Sequence, residues 1–359
     1  MTRIARVGLI GAGRIATLHA NAIRASGAEL AAVVSSSPER AAEAAGRLGA
    51  ANSFSSVEEM LEDETIQAVH VTSPNALHAE HVAQVIAAGR HFICEKPFVG
   101  SIDEAEALRE VARAAGVVGT IAFTYRYHPV AREARARVAA GEVGSLITVR
   151  GGYVQDWLLS APPTEWRLDS SRSGTSRAFG DVGSHLVDLL EFVTGERIAR
   201  LVALERSAIT PHEGVSADDA IALTVELDHG AIGSLLVSQV TAGRGQSLTL
   251  EVSGSVAGIA LDQEDPAVLW KGTAGAGIGE RVDLTSGLLS PSAAALGFTP
   301  TGTWDDYFNA FAAFVRDSYA AMDGETVDAL PTIDDGVRAV LIGAAVRESA
   351  RGAGWVTLG

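Results

Sequence analysis

The sequence predicts a two-domain protein that begins with an α/β domain built on a parallel sheet. A length of 359 residues is more than one ordinary hydrophobic core supports. Short apolar segments alternate with helical patterns along the first part of the chain, and the first apolar segment runs into a glycine-rich turn. Strands that alternate with helices form parallel sheets, which bind their ligands at the carboxyl edge.

The glycine-rich turn follows the apolar run 6–10 and reads Gly11-Ala12-Gly13-Arg14-Ile15-Ala16. Gly11 permits a tight turn, Gly13 lets phosphate groups approach the backbone, and the small Ala16 lets the next helix pack on its strand. A helix N-terminus offers unpaired N–H groups and partial positive charge. The motif therefore predicts a dinucleotide site that involves Gly11, Gly13, Arg14 and Ile15. The alternative interpretation is a plain turn.

The rest of the α/β pattern places further polar residues at the same edge. Strands are predicted at 30–34, 66–71, 91–94 and 117–123, and helices at 38–48, 78–88 and 101–115. Carboxyl ends of parallel strands meet at one edge of the sheet. We therefore expect the cofactor to contact Ser73, Pro74, Asn75, His78, Glu95 and Lys96.

The residues after the second strand bear on the choice of cofactor. An Asp or Glu about 20 residues beyond the glycines would bind the ribose hydroxyls of NAD. This chain has Ser35, Ser36 and Arg40 there, which can accommodate a 2′-phosphate. The pattern favours NADP over NAD. Alternatively, Ser37-Pro38 only starts the next helix and Arg40 is solvated.

Lys96 is one of only two lysines among 28 basic residues, the other being Lys271. Arginine does not replace lysine where chemistry needs a compact point charge or an amine with an adjustable pKa. Lys96 lies in His91-Phe92-Ile93-Cys94-Glu95-Lys96-Pro97, directly after a predicted strand. Its position could also be chance, but the surrounding pattern favours a chemical role.

A second group of polar residues lies on a predicted helix in the middle of the chain. Asp181, His185 and Asp188 have the spacing i, i+4 and i+7, which places them on one helix face. An imidazole beside carboxylates is suited to general acid–base catalysis. The alternative is a helix-capping Asp181 and a histidine satisfied within the core.

Taken together, these motifs resemble the Gfo/Idh/MocA oxidoreductase family. The resemblance rests on Gly11-x-Gly13-x-x-Ala16, Pro74-Asn75 with His78, Glu95-Lys96-Pro97, Arg126-x-x-Pro129 and Asp181-x-x-x-His185-x-x-Asp188. It implies a Rossmann domain over residues 1–123 and an α+β domain over 124–359 with an open, mainly antiparallel sheet. It also implies a substrate-binding role for the second domain, assembly into a homodimer or homotetramer, and catalysis by Lys96, Asp181 and His185.

Two positions depart from the family pattern. Thr124 stands where the family often has Asn, and Ser35 stands where many members have Asp. The second departure resembles the NADP-using sugar reductases of the family.

The segment around Trp157 predicts the type of substrate. Gln and Asp side chains bind hydroxyl pairs, and an indole can stack on the C–H face of a sugar ring. Asp156 and Trp166-Arg167 fit this pattern too, although a Trp is more often part of a core. The predicted substrate-binding residues are Lys96, Tyr125, Arg126, Gln155, Trp157, Asp181 and His185.

Composition excludes several other classes of protein. A formal charge of −16 disfavours nucleic-acid binding, and no apolar run is long enough for a membrane span. Cys94 is the only cysteine, and the N-terminus lacks a signal-peptide pattern, so a reducing cytoplasm is expected. His78 and His81 are i, i+3 on a helix but have no third ligand at metal-binding spacing, so no metal is predicted.

The function predicted from the sequence is NAD(P)-dependent interconversion of a secondary alcohol and a ketone on a sugar, cyclic polyol or glycoside. Two alternatives stay open. One is a dinucleotide-binding sensor without catalysis, which would not need Lys96 together with Asp181 and His185. The other is the same fold with a recycled cofactor, used for sugar–sugar oxidoreduction or for oxidation and elimination.

Overall fold

A computed structural model describes residues 4–161, 177–208, 218–287, 289–301, 303 and 305–359. The chain divides into two compact units. The first comprises Met1–Thr124 and Phe308–Val340, and the second comprises Tyr125–Tyr307 and Leu341–Gly359. The first passage between the units therefore falls after Thr124. No sequence signal predicted that the chain would return to the first unit at Phe308.

The first unit contains a six-stranded parallel sheet with the strand order β3-β2-β1-β4-β5-β6. Its strands are β1 (Arg6–Ile10), β2 (Glu29–Val34), β3 (Asn52–Phe54), β4 (Ala68–Val71), β5 (His91–Cys94) and β6 (Gly119–Ile121). The intervening helices are α1 (Arg14–Ala25), α2 (Pro38–Leu48), α3 (Val57–Leu61), α4 (His78–Ala87) and α5 (Ile102–Ala115). This confirms the predicted α/β class.

The helices of the first unit begin where side chains can satisfy their free N–H groups. Ser37, Ser56 and Ser101 cap α2, α3 and α5 by accepting a backbone N–H three residues later. The core of the unit is built from strand residues that are fully buried, such as Val69, Phe92 and Ile121. Parallel strands covered on both faces read as continuous apolar runs, which is why the sequence revealed them.

The second unit contains a nine-stranded sheet with the order β14-β13-β12-β11-β7-β10-β9-β8-β15. All its neighbouring strands are antiparallel except β7 and β10, which confirms the expected mainly antiparallel sheet. The strands are β7 (Leu146–Val154), β8 (Ile198–Arg206), β9 (Ala220–Leu227), β10 (Ile232–Ser238), β11 (Ser247–Gly254), β12 (Ala257–Asp262), β13 (Val268–Thr273), β14 (Gly279–Asp283) and β15 (Val356–Thr357).

Helices cover one face of this second sheet. A Cβ added at Gly151 in β7 would lie 3.1 Å from a Leu186 methyl group, so the absence of a side chain there lets a helix approach the sheet closely. The remaining α-helices are α6 (Pro129–Ala139), α7 (Ser184–Thr194), α8 (Pro291–Ala294), α9 (Asp305–Met322) and α10 (Ile333–Glu348). The turns of 3₁₀-helix are Asn75–Leu77, Thr124–Tyr127, Trp157–Ser160 and Leu284–Ser286, and the π-helical turns are Phe179–Gly183 and Ser349–Ala353.

The returning segment completes the edge of the first sheet at β6. The N–H of Ile121 donates to the carbonyl of Pro331 at 3.1 Å, and the hydroxyl of Thr120 donates to that of Ser318 at 3.1 Å. Gly336 packs so closely that an added Cβ would lie 2.8 Å from Ile121 and 3.1 Å from Phe98. Residues 308–340 are thus an integral part of the first unit. Within the described parts of the chain, no helix combines the length and apolar character needed to cross a bilayer.

Candidate active site and cofactor site

The glycine turn after β1 has the geometry that a pyrophosphate needs. Gly11 has φ +96°, and a Cβ there would lie 2.6 Å from the backbone of Thr72, so no other residue fits. Gly13 precedes α1 without a side-chain cap, and a Cβ added to it would meet no atom within 4 Å. Phosphate oxygens could therefore approach the N–H groups that open α1, at Arg14 and Ile15. These residues fit a dinucleotide.

The turn after β2 is compatible with both interpretations of Ser35 to Arg40. The Ser37 hydroxyl accepts the N–H of Arg40 at 3.3 Å, so it does start α2. The exposed Arg40 guanidinium donates to the Ser36 hydroxyl at 3.1 Å. Neither Ser35 nor Ser36 supplies a carboxylate, and the first turn of α2 carries both Glu39 and Arg40. The choice between NAD and NADP stays a prediction.

The turn that carries Lys96 is held by buried polar groups. The N–H of Glu95 donates to the carbonyl of Val71 at 2.9 Å, which continues the β4–β5 pairing, and the Lys96–Pro97 peptide is cis. His78 is fully buried, and its ring nitrogens lie 2.9 Å from the carbonyl of Pro97 and 2.9 Å from that of Ser73. Burial lowers the pKa of His78, against the opposing effect of these carbonyls.

The sequence placed His78 among the cofactor contacts, and that role stays a prediction. Both of its ring nitrogens face backbone carbonyls within the first unit, so its described contacts position the Lys96 turn. Ser73, Pro74 and Asn75 lie at the predicted edge: Ser73 accepts or donates a hydrogen bond with His81 at 2.9 Å, and Pro74 precedes the 3₁₀ turn Asn75–Leu77.

The two lysines have different surroundings. The Lys271 ammonium donates to Glu142 at 2.6 Å in the second unit and forms an ion pair there. The ion pair with Glu142 gives Lys271 a structural role. Lys96 instead follows a strand at the edge where the glycine turn lies, as the sequence predicted.

Asp181 lies in a π-helical turn, whereas the sequence predicted an uninterrupted α-helix through Asp188. The turn Phe179–Gly183 leads into α7, and His185 lies in the first turn of that helix. The Asp218 carboxylate accepts the N–H groups of Arg177 and Phe179 at 2.7 and 2.8 Å, which satisfies the start of this element. The buried Gln239 amide donates to Asp181 at 2.7 Å and orients its carboxylate. π-Helical turns are frequent at functional sites.

Asp188 is paired with Arg126. The guanidinium donates through Nε to Asp188 Oδ2 at 2.9 Å, and Nη2 makes a second, very short contact with Oδ1. Both side chains are buried, and the guanidinium lies 5.2 Å above the Phe192 ring. A buried ion pair of this kind holds elements together. These contacts give Arg126 a structural role, and its contact with the substrate stays a prediction.

Two buried tyrosines surround His185, and only one of them was predicted. The Tyr125 ring meets His185 edge-on at 4.9 Å, and its hydroxyl lies 2.7 Å from that of Tyr153. The Gln246 amide donates to the Tyr153 hydroxyl at 2.6 Å. Burial raises the pKa of both tyrosines above the usual range, and the Asp181 charge adds to this, so both stay protonated. Sequence reasoning missed Tyr153, Gln239 and Gln246.

The predicted sugar-binding segment forms a compact loop of its own after β7. The Trp157 indole N–H donates to the Gln155 side-chain carbonyl at 2.9 Å, and Trp157 lies in a 3₁₀ turn with a half-buried ring. Asp156 accepts the N–H of Gly243 at 3.1 Å. The loop is therefore pre-organised. Trp166 and Arg167 lie outside the described residues.

His128 extends the aromatic cluster and has a strongly perturbed pKa. Its ring stacks on Tyr125 at 5.4 Å, and neither of its nitrogens has a hydrogen-bond partner among the described residues. Burial lowers the pKa of His128 to about 4, and the nearby charge of Asp306 opposes this only in part. His128 is therefore neutral in the folded protein at neutral pH.

We expect His128 to make folding sensitive to mild acid. An unfolded imidazole titrates near pH ~6.5, so below that pH the unfolded chain binds a proton that the folded chain does not. Stability then falls as the pH drops from ~6.5 to ~4, by up to about 3 kcal/mol. His128→Phe should remove this part of the pH dependence, as measured by urea unfolding of both proteins at several pH values. Parallel curves for the two proteins would contradict the assignment.

The described residues offer neither a metal-binding group nor a reactive thiol. No group of three or more His, Cys, Asp or Glu side chains is placed to hold a metal ion in that part of the chain. Cys94 is buried, and burial raises the pKa of its thiol well above the usual range. The thiol is therefore protonated and unreactive.

A parallel sheet with a glycine turn that fits a pyrophosphate, followed in the chain by a second unit that carries Asp181 and His185 at the start of a helix, is typical of a dinucleotide-dependent oxidoreductase. Comparison with known families agrees: residues 5–123 match an oxidoreductase family with an NAD-binding Rossmann fold, and residues 131–260 match the GFO/IDH/MocA C-terminal domain. The chain belongs to the Gfo/Idh/MocA family.

Three similar proteins have names that refer to small ring compounds. Levoglucosan dehydrogenase of Pseudarthrobacter phenanthrenivorans is 29% identical over 98% of this chain and 97% of its own. The 1,5-anhydro-D-fructose reductase of Ensifer adhaerens is 35% identical over 63% of this chain and 67% of its own. The crystal structure of an inositol dehydrogenase homologue from Azotobacter vinelandii, complexed with NAD⁺, is 28% identical over 100% of this chain and 98% of its own, with a TM-score of 0.90.

Proposed function

We propose that this protein interconverts a secondary alcohol and a ketone on a sugar, cyclic polyol or glycoside, with NAD(P) as cofactor. The observation that carries the proposal is the cluster around His185. An imidazole there has Asp181 on the preceding turn and the hydroxyl groups of Tyr125 and Tyr153 beside it. Several polar groups converging on one imidazole suit a substrate rich in hydroxyl groups.

Each catalytic residue has a separate role in the proposed mechanism. Bound NAD(P) supplies the acceptor or donor of the hydride. His185 removes the proton of the reacting hydroxyl in oxidation and returns it in reduction. Lys96 donates a hydrogen bond to the reacting oxygen and stabilises the negative charge that develops on it. Asp181, itself oriented by Gln239, stabilises the protonated form of His185.

The substrate class is supported by the loop after β7 and by the relatives. Trp157 presents a half-buried indole, and Gln155 holds it through a hydrogen bond of 2.9 Å. An indole held in this way offers an apolar face to the C–H side of a sugar ring. The names of the similar proteins refer to levoglucosan, an anhydro-fructose and inositol, all of which are compact ring polyols or their derivatives.

A substrate screen tests the proposal directly. Purified protein is incubated with monosaccharides, anhydro-sugars, inositols and glycosides, each with NAD⁺ and with NADP⁺, and formation of the reduced cofactor is followed by absorbance. Turnover with at least one ring polyol supports the proposal. Cofactor binding without turnover on the whole panel would favour a sensor, and turnover only when a second sugar is added would favour a recycled cofactor.

The choice of NADP over NAD is testable at the turn after β2. Ser35→Asp should shift the ratio of kcat/KM values towards NAD, because a carboxylate repels the 2′-phosphate and binds ribose hydroxyls. Arg40→Ala should weaken NADP more than NAD, by ~1.5–3 kcal/mol for a lost charge-assisted hydrogen bond. Arg24→Ala is a control on the same unit, since Arg24 donates to the carbonyl of Leu48 at the other end of α2. If the wild type prefers NAD and Arg40→Ala affects both cofactors alike, the NADP preference is wrong.

The exposed surface of the second unit and the cysteine content bear on assembly and location. One face of the second sheet carries exposed apolar side chains on either side of β9: Leu204 in β8, which is 76% exposed, and Leu236 in β10 both pair with Ala222 of β9. An apolar face of this kind suits an interface between copies of the chain, so we propose a homodimer or homotetramer. With one buried cysteine, the chain suits a reducing cytoplasm.

A further inference from the structure

A chain of four hydrogen-bonded side chains runs through the first unit to the residue before Lys96. Glu95 Oε1 lies 3.0 Å from His19 Nε2, and His19 Nδ1 lies 2.7 Å from His70 Nδ1. His70 Nε2 lies 2.8 Å from the hydroxyl of Tyr319. We call Glu95, His19, His70 and Tyr319 the histidine chain. Its members come from the end of β5, α1, β4 and the returning helix α9.

The histidine chain is buried and its rings are held in place. Both imidazoles are 0% exposed, and Tyr319 is 6% exposed. The ring of Phe311 packs edge-on against His19 at 4.7 Å, and His19 and His70 meet at 81°. A buried polar network with every member satisfied is rigid, and one with a missing member is costly.

The partners of the chain limit which atoms can donate. An ionised carboxylate only accepts, so His19 donates from Nε2 to Glu95. If that is the only ring proton of His19, His19 accepts at Nδ1, so His70 donates from Nδ1 and accepts at Nε2 from the Tyr319 hydroxyl. Burial, together with the neighbouring His19, lowers the pKa of His70 well below its usual range, which keeps that ring neutral. All three donors thus point towards Glu95.

The other oxygen of Glu95 connects the histidine chain to the backbone of Lys96. Glu95 Oε2 accepts the N–H of Lys96 at 3.2 Å. On the far side of Lys96, His78 contacts the carbonyls of Pro97 and Phe98 at 2.9 and 3.2 Å. Glu95 therefore holds the Lys96 N–H, and His78 holds the two residues that follow Lys96.

We propose that His19 and His70 are positioning residues for Lys96: anchored by Tyr319, they fix the Glu95 carboxylate, which fixes the turn that presents the lysine. Neither histidine touches the reacting atoms. The expected effect on kcat rests on the proposed function. The expected effect on the position of Lys96 does not. A displacement of about 1 Å in a catalytic group can lower a rate by ~10²-fold.

The structural consequence can be measured without a substrate. The chain has two lysines, so reductive methylation with ¹³C gives one signal from Lys96, one from Lys271 and one from the N-terminal amine. In His19→Leu, the Lys96 signal should move towards the position of a flexible lysine and sharpen, while the Lys271 signal stays. His19→Gln, which keeps a donor for Glu95, should retain most of the wild-type Lys96 position. An unmoved Lys96 signal in folded His19→Leu would overturn the proposal.

The direction of the chain is measured in the wild type, and His19→Gln serves only to assign the signals. Histidine labelled with ¹⁵N should show His70 as the Nδ1–H tautomer and His19 as the Nε2–H tautomer, assigned by loss of signals in His19→Gln. The reverse tautomers would mean that the donors point away from Glu95, and the positioning role would fall.

The kinetic consequence separates this role from a general loss of stability. His19→Leu should lower kcat by ~10-fold or more with little change in the KM of the sugar, and His19→Gln should recover most of it. In a Glu95→Ala background, His19→Leu should add less than a twofold further loss, because it acts through Glu95. His91→Ala is the control: it removes a half-buried histidine at the opposite end of β5, whose Nδ1 accepts the N–H of Val118 at 3.0 Å. Equal losses in His91→Ala and His19→Leu would overturn the proposal.

The two proposals fail in different ways. If no sugar is turned over, the proposed function fails while the lysine and histidine signals still test the histidine chain. If a sugar is turned over but His19→Leu leaves kcat and the Lys96 signal unchanged, the histidine chain fails and the function stands.

Discussion

Replacing Lys96 by Met should lower kcat by ~10²-fold or more while folding and cofactor affinity stay close to those of the wild type. The magnitude is typical for the loss of one donor to a developing oxyanion. Met keeps the length and apolar stem of the side chain, so the loss reports on the ammonium group. The measurement is steady-state turnover on the sugar found in the screen, together with a fluorescence titration of reduced cofactor.

The chain supplies its own control for this experiment. Lys271 is the other lysine, and it pairs with Glu142 in the second unit. Lys271→Met should reduce stability modestly and leave kcat unchanged. Lys96→Arg separates charge from shape, because a guanidinium does not reproduce a compact ammonium. If Lys96→Met keeps near wild-type turnover, Lys96 has no part in the chemistry.

Replacing His185 by Asn should also depress turnover strongly and should change the shape of the pH–rate profile. In the direction of oxidation the base must be neutral, so the wild-type rate falls as the pH drops through the titration of the imidazole, which is ordinarily near pH ~6.5. Asn cannot titrate, so this limb should disappear. In the direction of reduction the same group must be protonated, and the limb that disappears is the one at rising pH.

An exposed histidine provides the comparison. His229 lies on the surface 3.5 Å from Glu196, and His229→Asn should leave both the rate and the profile unchanged. An unchanged profile in His185→Asn would mean that another group carries the proton. That result would leave the role of Lys96 intact, because the two residues are assigned on separate observations.

Features that depend on neighbours in sequence could be predicted well. The strands of the first unit are continuous apolar runs, and the glycine turn needs a backbone conformation that only Gly11 can adopt next to Thr72. The Glu95-Lys96 turn follows directly from the end of β5. Each of these features is determined by a few consecutive residues, so it can be predicted from the sequence.

Features that depend on distant contacts could not be predicted. Gln246 reaches Tyr153 from 93 residues away, and His70 reaches Tyr319 from 249 residues away. Asp188 was expected near His185 because helical spacing puts them on one face, but spacing does not show that Arg126 engages it. The π-helical turn at Asp181 has no sequence signature comparable with a capping residue.

The return of the chain at Phe308 also affects how this protein is made and how it can evolve. The chain passes between the two units after Thr124, Tyr307 and Val340, so the cofactor-binding unit is not a contiguous gene segment. A ribosome that has released residues 1–124 has not yet supplied the partner of His70 or the helix that covers β6. The first unit can fold completely only after Val340 has left the ribosome. It also cannot be exchanged between relatives as one continuous segment of sequence.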